Sequence, residues 1–372
     1  MTTLRLLADD LTGALDTAAE FVPLTGPIQA FWHGGGWRAG DTSSLPDSAA
    51  LDTGTREAGE AAARTTTVAA SGALAGAGIA FKKVDSLLRG QALAELAACF
   101  ASGGWEQGVL APAFPFQGRI TRDGQQLAKA NGGWVPAGPA LVPALRALGV
   151  VAHSGRPGAP LPSGITVFDA VDDDGLRAAV AQAGGPGAPL LWCGTGGLAH
   201  ALAGTATHPT FAELPGPVLG LFGSDQAVTA GQLAACAPHW CALPDGGAES
   251  AATLMRRLDV HGIGLATHAL PANLTRAAAA GRIERAFAGL VQRLPAPGTL
   301  VVAGGETLRG LCLALGAASL EVRGRVMPGV PVSILRGGRW DGVTVVSKSG
   351  AFGHPHLLRE LLRLPETERT VA

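Results

Sequence analysis

The sequence contains no tyrosine, so no phenolic hydroxyl is available for catalysis or for stacking on a base. Charged residues make up only 15% of it, the formal net charge is −1, and lysine and arginine nowhere form a run. Phosphate neutralisation needs clustered basic side chains, so nucleic acid is not an expected partner. Long hydrophobic runs are also missing: no stretch approaches bilayer-spanning length, and residues 1–10 lack the apolar segment of a secretory signal. A membrane is therefore excluded as a partner, and a cytoplasmic location is expected. The five cysteines are odd in number and lack the paired spacing of a zinc site. Cys236, His239 and Cys241 form a metal-like cluster without a second ligand pair, and reduced, mostly buried thiols are the better expectation.

What is present is apolar bulk. Hydrophobic residues account for 47% of 372 residues, enough for two compact α/β domains rather than one. The 54 glycines reflect a compositional bias, so a glycine counts toward a phosphate loop only when its neighbours agree. Short apolar runs alternate with Ala- and Leu-rich stretches of helical period, the pattern of parallel sheets covered on both faces. It predicts strands over 4–8, 28–32, 49–51, 79–84, 108–111, 166–169 and 190–193. Helices are expected between them, over 14–21, 57–70, 92–100, 143–148, 173–183 and 197–203. Three prolines in 203–217 then read as a linker. The alternation restarts with strands over 218–222, 264–266, 300–303, 332–335 and 343–347. Helices over 227–235, 248–258, 274–292 and 308–315 separate them. The expected fold is α/β: two α/β domains, 1–208 and 216–372, with mainly parallel sheets and an active-site cleft between them.

Ligands in such sheets sit beyond the carboxyl ends of strands. Asp9 and Asp10 follow the first strand, and Asp16 stands on the helix after it. Asp10 or Thr12 as a helix cap explains part of this. Three carboxylates so close repel one another unless a cation or a hydroxyl-rich ligand binds them, which points to a polyol or magnesium site. The stretch Lys82-Lys83-Val84-Asp85-Ser86-Leu87-Leu88-Arg89 turns from a strand into a helix. It joins cations, an acid and a hydroxyl, which suits a small carboxylate ligand and an alcohol to be activated. Arg56, beyond the third strand, is a further carboxylate clamp, and Arg119 lies in a loop at the same sheet edge.

In the second half three glycine-bearing turns follow strands: Gly223-Ser224, Gly304-Gly305-Glu306-Thr307 and Lys348-Ser349-Gly350. Backbone N–H groups at such turns receive phosphate. None is a P-loop, because the Gly-Lys-Ser/Thr ending is missing. Glu306 suits a ribose hydroxyl or magnesium better than a bare phosphate.

Taken in order, these segments resemble the four-carbon acid sugar kinase family, in which a sugar-acid-binding domain precedes a nucleotide-binding domain. The resemblance rests on Ala8-Asp9-Asp10-Leu11-Thr12-Gly13 with Asp16-Thr17, Lys82-Lys83-Val84-Asp85-Ser86 with Leu88-Arg89-Gly90, and Pro112-Ala113-Phe114-Pro115 with Gln117-Gly118-Arg119. It continues through Gly194-Thr195-Gly196-Gly197 and the three glycine turns. It implies that Asp9, Asp10, Asp16, Arg56, Lys83, Asp85, Ser86 and Arg89 surround the acid. It likewise implies that Ser224, Gly304, Gly305, Glu306, Thr307 and Gly350 contact ATP. The family usually has threonine where Val84 and Leu87 stand and asparagine where Ala351 stands. The paired lysines look more like the threonate and erythronate kinases than the 3-oxo-tetronate kinases. The implied reaction is transfer of phosphoryl from ATP to the terminal hydroxyl of a four-carbon acid. Asp85 is the expected base with Asp10 in reserve, Lys83 steadies a hydroxyl or the phosphoryl, and Glu306 is a candidate ligand for Mg2+. The partner is a small sugar acid, and homo-oligomer formation is left open. A non-catalytic protein binding acid and nucleotide is the rival. A dehydrogenase is disfavoured because neither half has Gly-x-Gly-x-x-Gly after its first strand.

Overall fold

Strand β1 (Leu4–Ala8) is apolar at nearly every position, as a strand covered on both faces must be. It opens a computed structural model that describes residues 2–364 except Ala39, Ser43, Asn131 and Ala212. Helix α1 (Leu11–Thr25), β2 (Ile28–Trp32), β3 (Ala49–Asp52), α2 (Glu60–Ser71), β4 (Ile79–Lys83), α3 (Ala92–Ser102) and β5 (Gln107–Ala111) follow. A short excursion comes next, as β6 (Arg119–Arg122), β7 (Gln125–Ala130) and β8 (Gly133–Ala140). The alternation resumes with α4 (Leu141–Ala147), β9 (Ala152–Ser154), β10 (Gly164–Val167), α5 (Asp173–Gln182), β11 (Leu191–Gly194) and α6 (Gly196–Ala203). The rest holds β12 (Val218–Phe222), α7 (Ala227–Ala234), β13 (Trp240–Leu243), α8 (Ala248–His261), β14 (Ile263–His268), α9 (Arg276–Arg293), β15 (Thr299–Ala303) and α10 (Gly305–Leu315). It ends with β16 (Ser319–Met327), β17 (Val330–Arg336), β18 (Thr344–Lys348) and α11 (Leu357–Leu361).

Two α/β units result, Met1–Thr210 with Ala317–Arg336, and Phe211–Gly316 with Gly337–Ala372. In the first the strand order is β17-β16-β2-β3-β1-β4-β11-β5-β10-β9, parallel from β2 to β9. In the second it is β13-β14-β12-β15-β18, parallel throughout. The strand expected over 332–335 forms within β17. It pairs antiparallel with β16, which pairs antiparallel with β2, so residues 317–336 join the first unit. Residues 365–372 of the expected second domain lie outside the described residues. Among the described residues no helix is long and apolar enough to cross a membrane.

The antiparallel β6–β7–β8 sheet is not legible as strands, because Pro136 and Pro139 fall inside β8 and most of its residues are exposed. What holds it is polar. Gln126 is fully buried, accepts from Thr121 Oγ1 at 2.7 Å, and donates to Ser86 O and Pro112 O at 2.9 and 3.0 Å.

Alternation along β4 sends its two lysines to opposite faces. Lys82 reaches Glu95 on α3 at 2.9 Å, both side chains about 1% exposed. Glu95 also accepts from Thr55 Oγ1 at 2.7 Å, Thr55 meets Thr53 Oγ1 at 2.7 Å, and Thr53 Oγ1 donates to Ala8 O at 3.0 Å. Burial works against the Lys82 charge, but Glu95 and Asp9 outweigh it and raise its pKa. Replacing Lys82 by Met strands a buried carboxylate and is expected to cost about 3–5 kcal/mol in urea unfolding, with the double variant Lys82→Met/Glu95→Leu recovering most of it. A single variant as stable as the wild type would contradict this account.

Candidate functional site

The carboxyl ends of β3, β1 and β4 lie side by side, with Ala8 in register with Asp52 and Leu7 with Lys82. From the loop after β3, Arg56 reaches across both neighbours. Its Nε and Nη2 grip the Asp9 carboxylate, the latter at 2.9 Å, and Nη2 also donates to Asp10 Oδ1 at 2.7 Å. Nη1 lies 3.3 Å from Asp85 Oδ1. Burial opposes the Arg56 charge, yet Asp10, Asp9 and Asp85 more than compensate and raise its pKa. Asp9 is likewise held below the usual carboxylate range, since Arg56, Lys83 and Lys82 overcome the effect of its burial.

Asp85 is the most heavily bonded member. Arg89 donates to it through Nε and Nη2, both at 2.8 Å, and the amides of Leu87 and Arg89 add bonds of 3.2 and 3.1 Å. Burial would raise its pKa, but Arg89, Arg56 and Lys83 lower it well below the carboxylate range. Asp10 caps α1, accepting from Gly13 N at 3.1 Å and Thr12 Oγ1 at 2.6 Å. The Lys83 ammonium lies against Gly13, where an added Cβ would stand 2.5 Å from Nζ. No hydrogen bond engages that ammonium among the described residues; its field acts on Asp9, Asp16 and Asp85. Asp16 keeps an accessible edge and accepts from Thr17 Oγ1 at 2.9 Å. Burial lifts its pKa to about 7, with Lys83 and Thr17 opposing and Asp10 and Glu20 adding. The half-buried Ser86 follows directly, its carbonyl tied to Gln126. Val84 belongs to the apolar core, so no hydroxyl is called for there.

The second unit brings its glycine turns together. A Cβ on Gly350 would collide with Ser224 Oγ, and one on Gly223 with Thr307 Oγ1, so the turns after β12, β15 and β18 approach one another closely at these two glycines. Gly304 adopts φ +104°, a conformation suited to glycine, and leads into α10 with Gly305, Glu306 and Thr307 in its first turn. Glu306 is exposed and pairs with Arg309 at 2.5 Å. A pocket of about 220 Å³ opens between α9 and α10, with Gly223, Thr307 and Glu306 among its lining and Ile283, Phe287 and Leu311 as apolar walls.

Sequence reasoning named Lys348 and Arg119 without assigning either a role, and it did not point to the group of Glu20, His200 and His208. Lys348 is buried and donates to Thr229 Oγ1, Ser349 O and Phe352 O at 3.3, 3.1 and 3.2 Å, tying down the Gly350 loop. Burial lowers its pKa to about 8. Burial lowers the pKa of Arg119, with Asp85 opposing and Arg89 adding, and its Nε has no hydrogen-bond partner among the described residues. Glu20, His200 and His208 place three potential ligand atoms within 4.8 Å of one another, and no other such group occurs among the described residues. Residues 20, 200 and 208 share no sequence spacing, so no motif announces them. The cysteines are free; Cys241 is half-buried and the other four are buried.

Residues 4–144 match the model of a sugar-binding N-terminal domain, and residues 264–358 match that of a nucleotide-binding C-terminal domain. D-threonate kinase of Bordetella bronchiseptica is 30% identical over 394 residues, covering 95% of either chain. D-threonate kinase of Cupriavidus necator is 32% identical over 410 residues, covering 94% of either chain. A solved protein of Salmonella typhimurium LT2 shares the fold, with a TM-score of 0.72 at 19% identity over 96% of this chain and 98% of that one.

If the glycine turns receive the nucleotide, Gly350→Ala should weaken ATP binding about tenfold or more, the equivalent of about 1.4 kcal/mol. Titration with a fluorescent ATP analogue measures this, and unchanged affinity would argue against the turns as the cradle.

Proposed function

Because the chain belongs to the four-carbon acid sugar kinase-like family, which joins a sugar-binding to a nucleotide-binding domain, we propose that it phosphorylates the terminal hydroxyl of a threonate- or erythronate-type acid with ATP. The observation that carries this reading is the convergence of Asp9, Asp10, Asp16, Lys83, Asp85, Arg56 and Arg89 at three adjoining strand ends of the unit matched as sugar-binding. Carboxylates there suit hydroxyls, and cations suit the acid group.

Arg89 is half exposed and uses only Nε and Nη2 on Asp85, which leaves Nη1 for the substrate carboxylate. Arg56 is spent on three aspartates and acts as their organiser. Lys83 steadies a hydroxyl or the charge of the transferring group, and Asp9, Asp10 and Ser86 complete the acid's surroundings. Asp85 accepts four hydrogen bonds and faces the Arg56 guanidinium as well, which leaves little basicity for a proton. Asp16, titrating near 7 beside Lys83, is the better proton acceptor.

The nucleotide fits the second unit: Ser224, Gly304, Gly305, Thr307 and Gly350 form a turn cluster open to phosphate, and the α9–α10 pocket has the apolar walls a base needs. Glu306 meets a ribose hydroxyl or Mg2+, which takes oxygen ligands and keeps several waters. ATP with Mg2+ supplies the phosphoryl group and neutralises its oxygens. The protein's task is then positioning and exclusion of water.

Release of ADP should accompany addition of D- or L-threonate or erythronate, and exceed that with 3-oxo-tetronates or glycerate. Silence across this panel from protein that binds ATP would sink the kinase reading. Asp16→Asn should lower kcat by about 10²–10⁴-fold while ATP still binds. A base works only when deprotonated, so wild-type kcat/KM should rise with pH through about 7. An acid limb that survives in Asp16→Asn would assign the proton acceptor elsewhere.

A further inference from the structure

Away from the strand ends, Glu20 of α1 is almost fully buried and collects three side chains. Arg325 of β16 donates to its Oε1 at 2.5 Å. His200 Nδ1 of α6 lies 3.1 Å from its Oε2, and His208 Nε2 lies 3.6 Å from the same oxygen. The hydrogen bonding within this group does not close. His200 Nδ1 also lies 3.5 Å from Arg325 Nη2. A proton on Nδ1 serves the carboxylate and opposes the guanidinium, whereas a lone pair does the reverse. His208 is more poorly served: 3.6 Å exceeds a good hydrogen bond, and its buried Nδ1 has no partner among the described residues. A buried ring nitrogen normally finds one.

The geometry points to a transition-metal site, best suited to Zn2+, formed by Glu20 Oε2, His200 Nδ1 and His208 Nε2. Tetrahedral zinc with bonds of about 2.0–2.1 Å separates its ligands by about 3.3–3.4 Å. The two measured separations, 3.1 and 3.6 Å, bracket that value, and the third lies within 4.8 Å. Three lone pairs directed at one cation remove the conflict at His200 and replace the long contact at His208 Nε2 with a bond, leaving the ring proton on Nδ1. Arg325 remains on Oε1, in the place where a ligating carboxylate takes its outer hydrogen bond. Two imidazoles and one carboxylate favour zinc, nickel or copper over magnesium, which prefers oxygen ligands alone. The partly exposed His200 leaves a fourth position for water. Such an ion would pin α1 and α6 to residue 208, two positions before the first unit ends at Thr210. Its role is structural, and it is separate from any magnesium carried by a nucleotide.

The test uses the untagged full-length chain, stripped with a chelator and titrated with Co2+, whose visible absorption band reports nitrogen and oxygen ligands in a tetrahedral field. One equivalent of Co2+ should give the band, Zn2+ should displace it, and excess Mg2+ should not. His208→Ala and His200→Ala should each lose the band, whereas His354→Ala/His356→Ala, on exposed histidines, should keep it. Zn2+ should raise the melting temperature of the wild type and leave that of His208→Ala unchanged. Because His208 makes no hydrogen bond among the described residues and only a 3.6 Å contact with Glu20, its removal is expected to leave the fold intact, which circular dichroism verifies. No band in the wild type, or a band that survives in His208→Ala, overturns the proposal. Neither readout depends on kinase activity.

Discussion

One guanidinium organises the first unit's candidate site. Arg56 leaves the end of β3, crosses the end of β1, and touches the aspartate beyond β4, so that Asp9, Asp10 and Asp85 share a single buried cation. Carboxylates gathered this closely would otherwise repel one another and take up protons. With Arg56 among them, Asp9 and Asp85 stay ionised. The adjacency of β3, β1 and β4 makes the reach possible, so the electrostatics depend directly on strand order.

Two supports hold this arrangement from below. Glu95 on α3 accepts from Lys82 and, through Thr55 and Thr53, ties the start of the Arg56 loop to the end of β1. Gln126 fastens the turn after β4 to the β6–β8 sheet through Ser86 O. A similar device recurs in the second unit, where Lys348 and Thr229 bind the backbone of the Gly350 loop. In each case a buried polar side chain satisfies backbone or charged groups of a loop, so a flexible segment is held where a ligand would meet it.

Much of this was legible in the sequence for identifiable reasons. The strands over 4–8, 28–32 and 218–222 form as expected, because strands buried in a largely parallel sheet leave short, mostly apolar runs. The β6–β8 sheet and β16 were not, since β6, β7 and β16 are partly buried antiparallel strands interleaved with polar residues, and the exposed β8 carries glycine and proline. Residues 317–336 read as part of the second half because chain order alone assigns them there; pairing of β16 with β2 is a long-range choice that local pattern does not record.

By itself the sequence determined the α/β alternation and the residue types at the strand ends, because apolar period and strand-end chemistry are local properties. Only the tertiary structure decided which neighbours they would meet. Lys82 and Lys83 are chemically identical and adjacent, yet pleating turns one toward Glu95 in the core and the other toward Asp16 and the strand ends. Asp16 and Asp85 are likewise the same residue type. One is lifted toward neutrality by burial, and the other is driven down by two arginines, because a carboxylate's pKa is set by what packs around it.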